Sequence, residues 1–368
     1  MWTHTQANIM KISVLGTGNG GCAVAFDCAQ HGHEVALWDF DQFDAQISAI
    51  SAAGGITASG DLAGFAPVPY AGHDLARALE GADLVYLVGP AYATEHFANA
   101  VRPYLAAGQT YIVCPGSCGG GLLFKKILGL GIEDTSVTIA ETSTLPYAAR
   151  TDGPGTVHIN LKLKGGLYLA TIPGTLVGDL LLRVQDVYPA REAAKNCMMT
   201  ILQNGNPTIH PAVSLCNAAR IDNTRGDFFF YEDGCSEHVG HLMAAVDDER
   251  LALAEALGVT VLRDPHLGVL QGYQTIADYN QGYRTAPGFK GIKAQSGLDY
   301  RYFNEDVGYG MNFMADMGRK MGVPTPTIDA IITVVSALMQ TDYRRQNKRN
   351  LADLGLADYS PEALLEVL

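Results

Sequence analysis

Six consecutive residues, Gly16-Thr17-Gly18-Asn19-Gly20-Gly21, constrain this chain more than any others. They follow an apolar run (Ile12, Val14, Leu15) and precede a small-residue stretch, Cys22 to Gln30, that reads as a helix. Gly16, Gly18 and Gly21 keep the G-x-G-x-x-G spacing, and each has its own task. The first permits a tight strand-to-helix turn, the second lets backbone approach a pyrophosphate, and the third lets the helix pack closely on a sheet. The helix N-terminus adds unpaired N–H donors and a positive dipole end. On its own such a turn often serves only geometry, but the context here favours a dinucleotide. Glu34 to Trp38 reads as a second strand and ends in Asp39, 18 residues beyond Gly21. A carboxylate there accepts hydrogen bonds from the adenosine ribose of NAD and repels the 2′-phosphate of NADP. No Arg or Lys lies between Asp39 and Phe65 to pair with such a phosphate. The expected cofactor contacts are therefore Gly16, Thr17, Gly18, Asn19, Gly20 and Gly21, with Trp38 and Asp39 at the strand end. NAD is the expected dinucleotide and NADP the alternative, because specificity residues can come from distant loops.

Further along, a helical pattern runs from about Asp41 to Ala53 and stops at Gly54-Gly55. The interval containing Pro67 and Pro69 reads as loop. Leu84 to Val88 is a continuous apolar run of the kind found in buried parallel strands. Gly89-Pro90-Ala91 closes it at the carboxyl end, which places Pro90 among the expected cofactor contacts. A helix follows from about Ala93 to Leu105, then a strand from Tyr111 to Cys114. Ser117 lacks the G-x-S-x-G frame of a nucleophile elbow, so Pro115 to Gly121 reads as a turn into a helix spanning Leu122 to Leu130. Val137 to Glu141 gives another strand, and Val157–Leu163 with Gly166–Ala170 resembles a hairpin across Lys164-Gly165. Alternating strands and helices indicate an α/β domain with a mainly parallel, doubly wound sheet of the Rossmann type.

Beyond about Pro189 helical periodicity dominates. Helices are expected over Cys235–Leu257, Asn304–Met321 and Thr327–Thr341. The organisation is thus a flexible extension over 1–10, a dinucleotide-binding domain over 11–189, and an all-α substrate domain over 190–368. The apolar helices of the second half are also candidates for a homodimer interface, although a long core helix has the same pattern.

Composition excludes some functions. A formal charge of −13 argues against nucleic-acid or acidic-membrane partners, and an anionic substrate would need locally concentrated cations. Hydrophobic residues at 48% and charged residues at 17% describe a folded chain, with no run long enough to span a membrane. The seven cysteines form no C-x-x-C pair, no metal site is expected, and with no secretory signal the reading is reduced cytoplasmic thiols.

In the helical half, His210 sits between Pro207 and Pro211 and precedes an apolar helix, Ala212 to Ala219. Histidine can donate and accept protons near neutral pH, although a lone histidine is more often merely packed. His238 and His241 share a helix face without a third metal ligand, and His31 and His33 are expected at the surface. His73, His96, His158 and His266 have no local constellation, and His4 belongs to the extension. Arg301-Tyr302-Phe303-Asn304-Glu305-Asp306 forms a second cluster. An arginine fork suits a carboxylate, and Asp306 could orient a histidine or simply complement a helix dipole. Spacing does not show that His210 and Asp306 meet.

These residues carry a resemblance. VLGTGNGG, GHEVALWD, CPGSCGGGLLFKKIL, ETSTLPYAAR, HPAVSLCNAAR, RYFNEDV, GVPTPTIDAII and TDYR occur in an order that resembles the opine dehydrogenases, the octopine/nopaline dehydrogenase family. They cover the chain from about Met10 to Leu356. The resemblance implies NAD(P)H-dependent reductive condensation of a 2-oxo acid with the amino group of an amino acid, or the reverse oxidation. It also implies His210 as the catalytic histidine, Asp306 as its partner, Arg301 as a substrate-carboxylate ligand and Asn206 as a polar residue near the reacting carbonyl. Pro207 and Thr208-Ile209 stand where the family has apolar residues beside the histidine, which alters the expected pocket shape. A simple 2-oxo acid or alcohol reductase, and a non-catalytic NAD-sensing protein, are the competing readings.

Overall fold

Continuous apolar runs become the middle of the larger of two sheets. The computed structural model describes residues 9–347 and 349–368, so most of the expected extension, with His4, lies outside the described residues. Twelve strands follow in chain order: β1 Lys11–Leu15, β2 Glu34–Trp38, β3 Gly55–Gly60, β4 Gly64–Pro67, β5 Tyr70–Gly72 and β6 Leu84–Leu87. The remainder are β7 Thr110–Val113, β8 Thr138–Thr142, β9 Tyr147–Thr151, β10 Thr156–Lys162, β11 Leu167–Ile172 and β12 Arg191–Ala193.

The large sheet has eight strands in the order β12-β11-β8-β7-β6-β1-β2-β5. Every pairing in it is parallel except β11 against β8. Strand order reverses between β1 and β6, and a doubly wound sheet opens its ligand crevice at that point. Strands β6 and β7 are buried along their whole length, which is why they read as unbroken apolar runs. Ile12, Val14 and Leu37 face one core with the helix Asn19–Gln30, and Leu15, Trp38 and Val85 face another with the helix Thr94–Val101.

The interval with the two prolines is not a loop. It holds β3, β4 and β5, and Pro67 ends β4 at the edge of a second sheet ordered β4-β3-β10-β9. The expected hairpin across Lys164-Gly165 is also absent. Strand β10 pairs with β3 and β9 in the small sheet, while β11 joins β8 and β12 in the large one. Adjacent runs of strand periodicity therefore belong to different sheets. His33, expected at the surface, is buried, with its Nδ1 accepting from Met10 N–H at 3.2 Å and its Nε2 3.0 Å from Asp186.

The large sheet runs through β12, a few residues past the Tyr188–Arg191 region where strand texture fades. Beyond it the described residues form helices, with one isolated bridge between Phe229 and Lys293. The 20-residue helix Glu237–Ala256 is capped by the Ser236 hydroxyl at its start and reaches Gly258 (φ +64°) just beyond its end. A core of Met198, Val246, Leu253, Phe313 and Ile332 holds the helical half together, and Tyr168, Ala170 and Ile172 of β11 join it. No helix among the described residues is long and apolar enough to cross a membrane. All seven cysteines are free, and only Cys216 is exposed.

Candidate active site

The glycine loop leaves β1 and enters the helix Asn19–Gln30 with Gly18 as its N-cap. Gly16 has φ +111°, and a Cβ there would lie 2.2 Å from the Val88 carbonyl oxygen. A Cβ on Gly21 would lie 1.8 Å from the Gly16 carbonyl oxygen, so neither position admits a side chain. Gly20 meets Leu145 and Val88 in the same way. Gly18 faces open space, and no side chain caps the helix behind it. An open, uncapped helix N-terminus fits a dinucleotide pyrophosphate.

The residues flanking the loop brace it. Asp39 Oδ2 accepts from Thr17 N–H at 2.7 Å and from Thr17 Oγ1 at 2.6 Å, and Asp39 Oδ1 accepts from Phe40 N–H at 2.8 Å. Trp38 donates its indole N–H to the His73 carbonyl at 2.8 Å. His73, which has no local constellation in sequence, reaches the Asp39 carbonyl through Nδ1 and Asp44 through Nε2. The Asp39 carbonyl and the Asp44 carboxylate both raise its pKa. Asn19 Oδ1 accepts from Thr151 N–H at 2.7 Å and Oγ1 at 3.0 Å, which ties the loop to β9.

His210 lies on the helix Asn206–Cys216, which begins six residues before the expected Ala212. Pro207 suits the first turn, where its missing N–H has no partner to lose. Asn206, half-buried, precedes His210 by four residues and so shares its helix face. Asp306 begins a π-helical stretch, Asp306–Met311, between the helices Arg301–Asn304 and Asn312–Met321. One continuous helix over Asn304–Met321 was expected; the wider π turn interrupts it. A Cβ on Gly310 would lie 2.5 Å from Pro207 Cγ, so this glycine lets the π turn press against the His210 helix.

That packing brings His210 Nδ1 to 2.8 Å from Asp306 Oδ2, with both residues buried. When Nδ1–H donates to this carboxylate, Nε2 of a neutral imidazole is left as an acceptor. The Tyr231 hydroxyl oxygen lies 3.1 Å from Nε2, and in that tautomer it is the donor. The Tyr302 ring stacks on the imidazole with centroids 4.0 Å apart, and Phe230 meets it edge-on at 6.1 Å.

Arg301, 46% exposed at its side chain, places Nε 3.2 Å from Glu305 Oε2. With Nε turned to Glu305, the two terminal nitrogens form the fork open to a carboxylate. Glu305 is buried, and its Oε1 accepts from Ala91 N–H at 2.9 Å. Burial pushes its carboxyl up from the usual range against the pull of Arg301, and the charge of Asp306 adds to the push. Arg349, also buried, donates to the Ala91 carbonyl and to Thr94 Oγ1 at 3.2 Å. Both polar backbone groups of the residue after Pro90 are thus held by the helical half. Tyr231, Glu305 and Arg349 were not singled out in sequence. Glu305 alone had a signal, as a carboxylate four residues after Arg301. His238 and His241 sit 5.9 Å apart, and among the described residues no group of three or more His, Cys, Asp or Glu could hold a metal.

A doubly wound sheet with an open glycine loop, joined to a helical domain that holds a buried His–Asp contact and an arginine fork, defines an NAD(P)-dependent oxidoreductase. Residues 11–119 match the NAD-dependent glycerol-3-phosphate dehydrogenase N-terminus family, and residues 193–339 match the alpha-helical domain of NAD/NADP octopine/nopaline dehydrogenase. The chain is 36% identical over 351 residues to an opine dehydrogenase of Arthrobacter sp. (strain 1C), covering 94% of this chain and 95% of that one. It belongs to the opine dehydrogenase family. In fold it is similar to octopine dehydrogenase solved with NADH and L-arginine (TM-score 0.78, 21% identity, 97% of this chain and 98% of that one). It is likewise similar to NADP+-bound yersinopine dehydrogenase (TM-score 0.72, 15% identity, 98% of this chain and 97% of that one).

Proposed function

We propose that this chain reductively condenses a 2-oxo acid with the amino group of an amino acid, with His210 and Asp306 as its acid–base pair and Arg301 as its carboxylate ligand. The observation that carries the reading is the buried 2.8 Å contact between His210 Nδ1 and Asp306 Oδ2, five residues along the chain from the Arg301 fork. Gly18 and the uncapped helix behind it would hold the pyrophosphate, and Pro90 borders the crevice at the end of β6. When bound, the dinucleotide supplies the hydride; the residues of this chain bind, orient and exchange protons.

Arg301 holds the oxo-acid carboxylate and so fixes the carbonyl relative to His210. His210 accepts a proton from the incoming ammonium, which frees the amine to attack. It returns that proton to the carbinolamine hydroxyl, water leaves, and the imine is ready for reduction. Asp306 keeps Nδ1 protonated and stabilises the imidazolium formed in between. NAD is the preferred cofactor in this reading, because Asp39 ends β2 at the position of the ribose-binding acid of dinucleotide folds.

The test is an NADH-oxidation screen that crosses amino acids with pyruvate, oxaloacetate and 2-oxoglutarate. Oxidation should require both an amine and an oxo acid. His210→Ala should lower turnover at least about 100-fold and leave NADH binding near wild type. Wild-type turnover in that variant, or oxidation by the oxo acid alone, overturns the reading.

A further inference from the structure

Every hydrogen-bonding position of the His210 imidazole is occupied. Asp306 takes Nδ1 at 2.8 Å, and Tyr231 takes Nε2 at 3.1 Å. Tyr302 covers the ring face at 4.0 Å. A neutral imidazole nitrogen has one in-plane lone pair, so a substrate proton cannot reach Nε2 while the phenol remains bonded there.

The phenol is also poorly placed to move aside. Its oxygen is fixed to a ring that is 5% exposed and stacked on Phe289 at 4.2 Å and 16°. Phe230 crosses it edge-on at 5.0 Å, and Tyr283 lies parallel at 6.3 Å. Displacing the hydroxyl from Nε2 would require the whole ring to shift within a packed aromatic cluster. Its remaining lone pair, by contrast, accepts a hydrogen bond from no described residue.

Building on the proposed role of His210, we infer that protons pass between substrate and imidazole through the Tyr231 hydroxyl. In the forward direction the substrate ammonium gives a proton to the Tyr231 oxygen as the Tyr231 O–H proton moves to Nε2. The freed amine lone pair forms the C–N bond, and the carbonyl oxygen takes the second amine proton to become the carbinolamine hydroxyl. The Nε2 proton then returns through the same hydroxyl to that group. The C–O bond breaks, water departs, and the nitrogen lone pair closes the C=N bond. The phenol is neutral before and after each transfer. Burial suits it to this, pushing its pKa well above the usual tyrosine range so that no phenolate accumulates. Tyr231 thereby touches the reacting atoms, whereas Asp306 acts through His210.

Tyr231→Phe retains the stacked ring and removes only the hydroxyl. Single-turnover rates should fall about 100-fold with a productive amine and oxo-acid pair. The NADH Kd and the KM for the oxo acid should stay within about threefold, because the hydroxyl acts in proton transfer rather than binding. A rate equal to or above wild type overturns the inference, since the phenol would then only plug Nε2 until substrate displaces it. A proton inventory on the unmodified protein tests the relay without any substitution. Two protons in flight give a curved dependence on deuterium fraction and support the relay, whereas a linear dependence overturns it. If His210→Ala also turns over normally, the proposed function itself fails; if only Tyr231→Phe does, the relay alone fails.

Discussion

Glu141 shows what one buried charge does to the stability of this protein. It is fully buried at the end of β8, where its carboxylate accepts from the Thr200 hydroxyl and, at 2.9 Å, from Gly121 N–H. Burial outweighs those bonds and raises its pKa from 4.5 to about 7. The native state therefore binds more protons than the unfolded chain between about pH 4.5 and about pH 7. The stability this group contributes is complete below the lower value and is lost as pH rises through the upper one. Thermal unfolding of Glu141→Gln should be less sensitive to pH across that window than that of the wild type, a difference on the order of 3 kcal/mol at most. Equal pH slopes for the two proteins would mean that Glu141 ionises freely in the fold. Nothing local in the sequence distinguishes Glu141 from an exposed strand-end carboxylate. The same holds for Tyr231, whose neighbours Phe228, Phe229, Phe230 and Glu232 say nothing of a histidine 21 positions away.

Among the elements, the π turn Asp306–Met311 sets the distance between Asp306 and His210. Gly310 makes it fit, because a methyl group there would lie 2.5 Å from Pro207 Cγ and 3.3 Å from Cys118 Sγ. Gly310→Ala should push the two helices apart, costing about 1–3 kcal/mol of stability. It should also lower turnover more than it raises either KM, as steady-state kinetics and thermal unfolding would show. Unchanged kinetics would mean that the pair tolerates the shift. The sequence carries no signal for a π turn, because its spacing of apolar residues blends into the helical pattern on either side. The central strands were readable for the opposite reason: β6 and β7 are buried throughout and so are uniformly apolar. Strands β3 to β5 escaped because Gly, Ala, Ser and Pro fill them, leaving little alternation to detect. The glycine loop was legible because each of its glycines answers to a neighbour only a few bonds or one strand away. The meeting of His210 with Asp306 spans 96 positions, and only the family resemblance pointed to it before the fold did.

At the scale of the whole molecule, Ala91 is one of the places where the two halves meet, alongside the packing of β11 on the helical core. Its N–H goes to Glu305 and its carbonyl to Arg349, both from the helical half. Glu305 also holds Arg301 Nε, so one buried carboxylate touches both the turn after β6 and the arginine proposed to bind the substrate carboxylate. Glu305→Ala would leave a buried N–H unpaired, a cost of about 1–3 kcal/mol. It would also free the Arg301 side chain. The expected result is a joint rise, about three- to tenfold, in the NADH Kd and in the KM for the oxo acid, read by fluorescence titration and steady-state kinetics. A change in one constant without the other would uncouple the two sides.

The clasp at Ala91 also says where this protein can be taken apart and recombined. Along the chain the large sheet ends with β12 at Ala193, and a chimera built by sequence would be cut just beyond it. In space, however, the helical half also grips both backbone groups of one residue far upstream, in addition to packing on β11. Grafted onto another dinucleotide-binding domain, it would keep the contact between His210 and Asp306 but lose the tether that Glu305 shares between Ala91 and Arg301. Only a recipient that presents an amide and a carbonyl where Ala91 stands would restore it. The unit that must be inherited whole is therefore the helical domain together with the turn after β6 and the β11 face that joins its core.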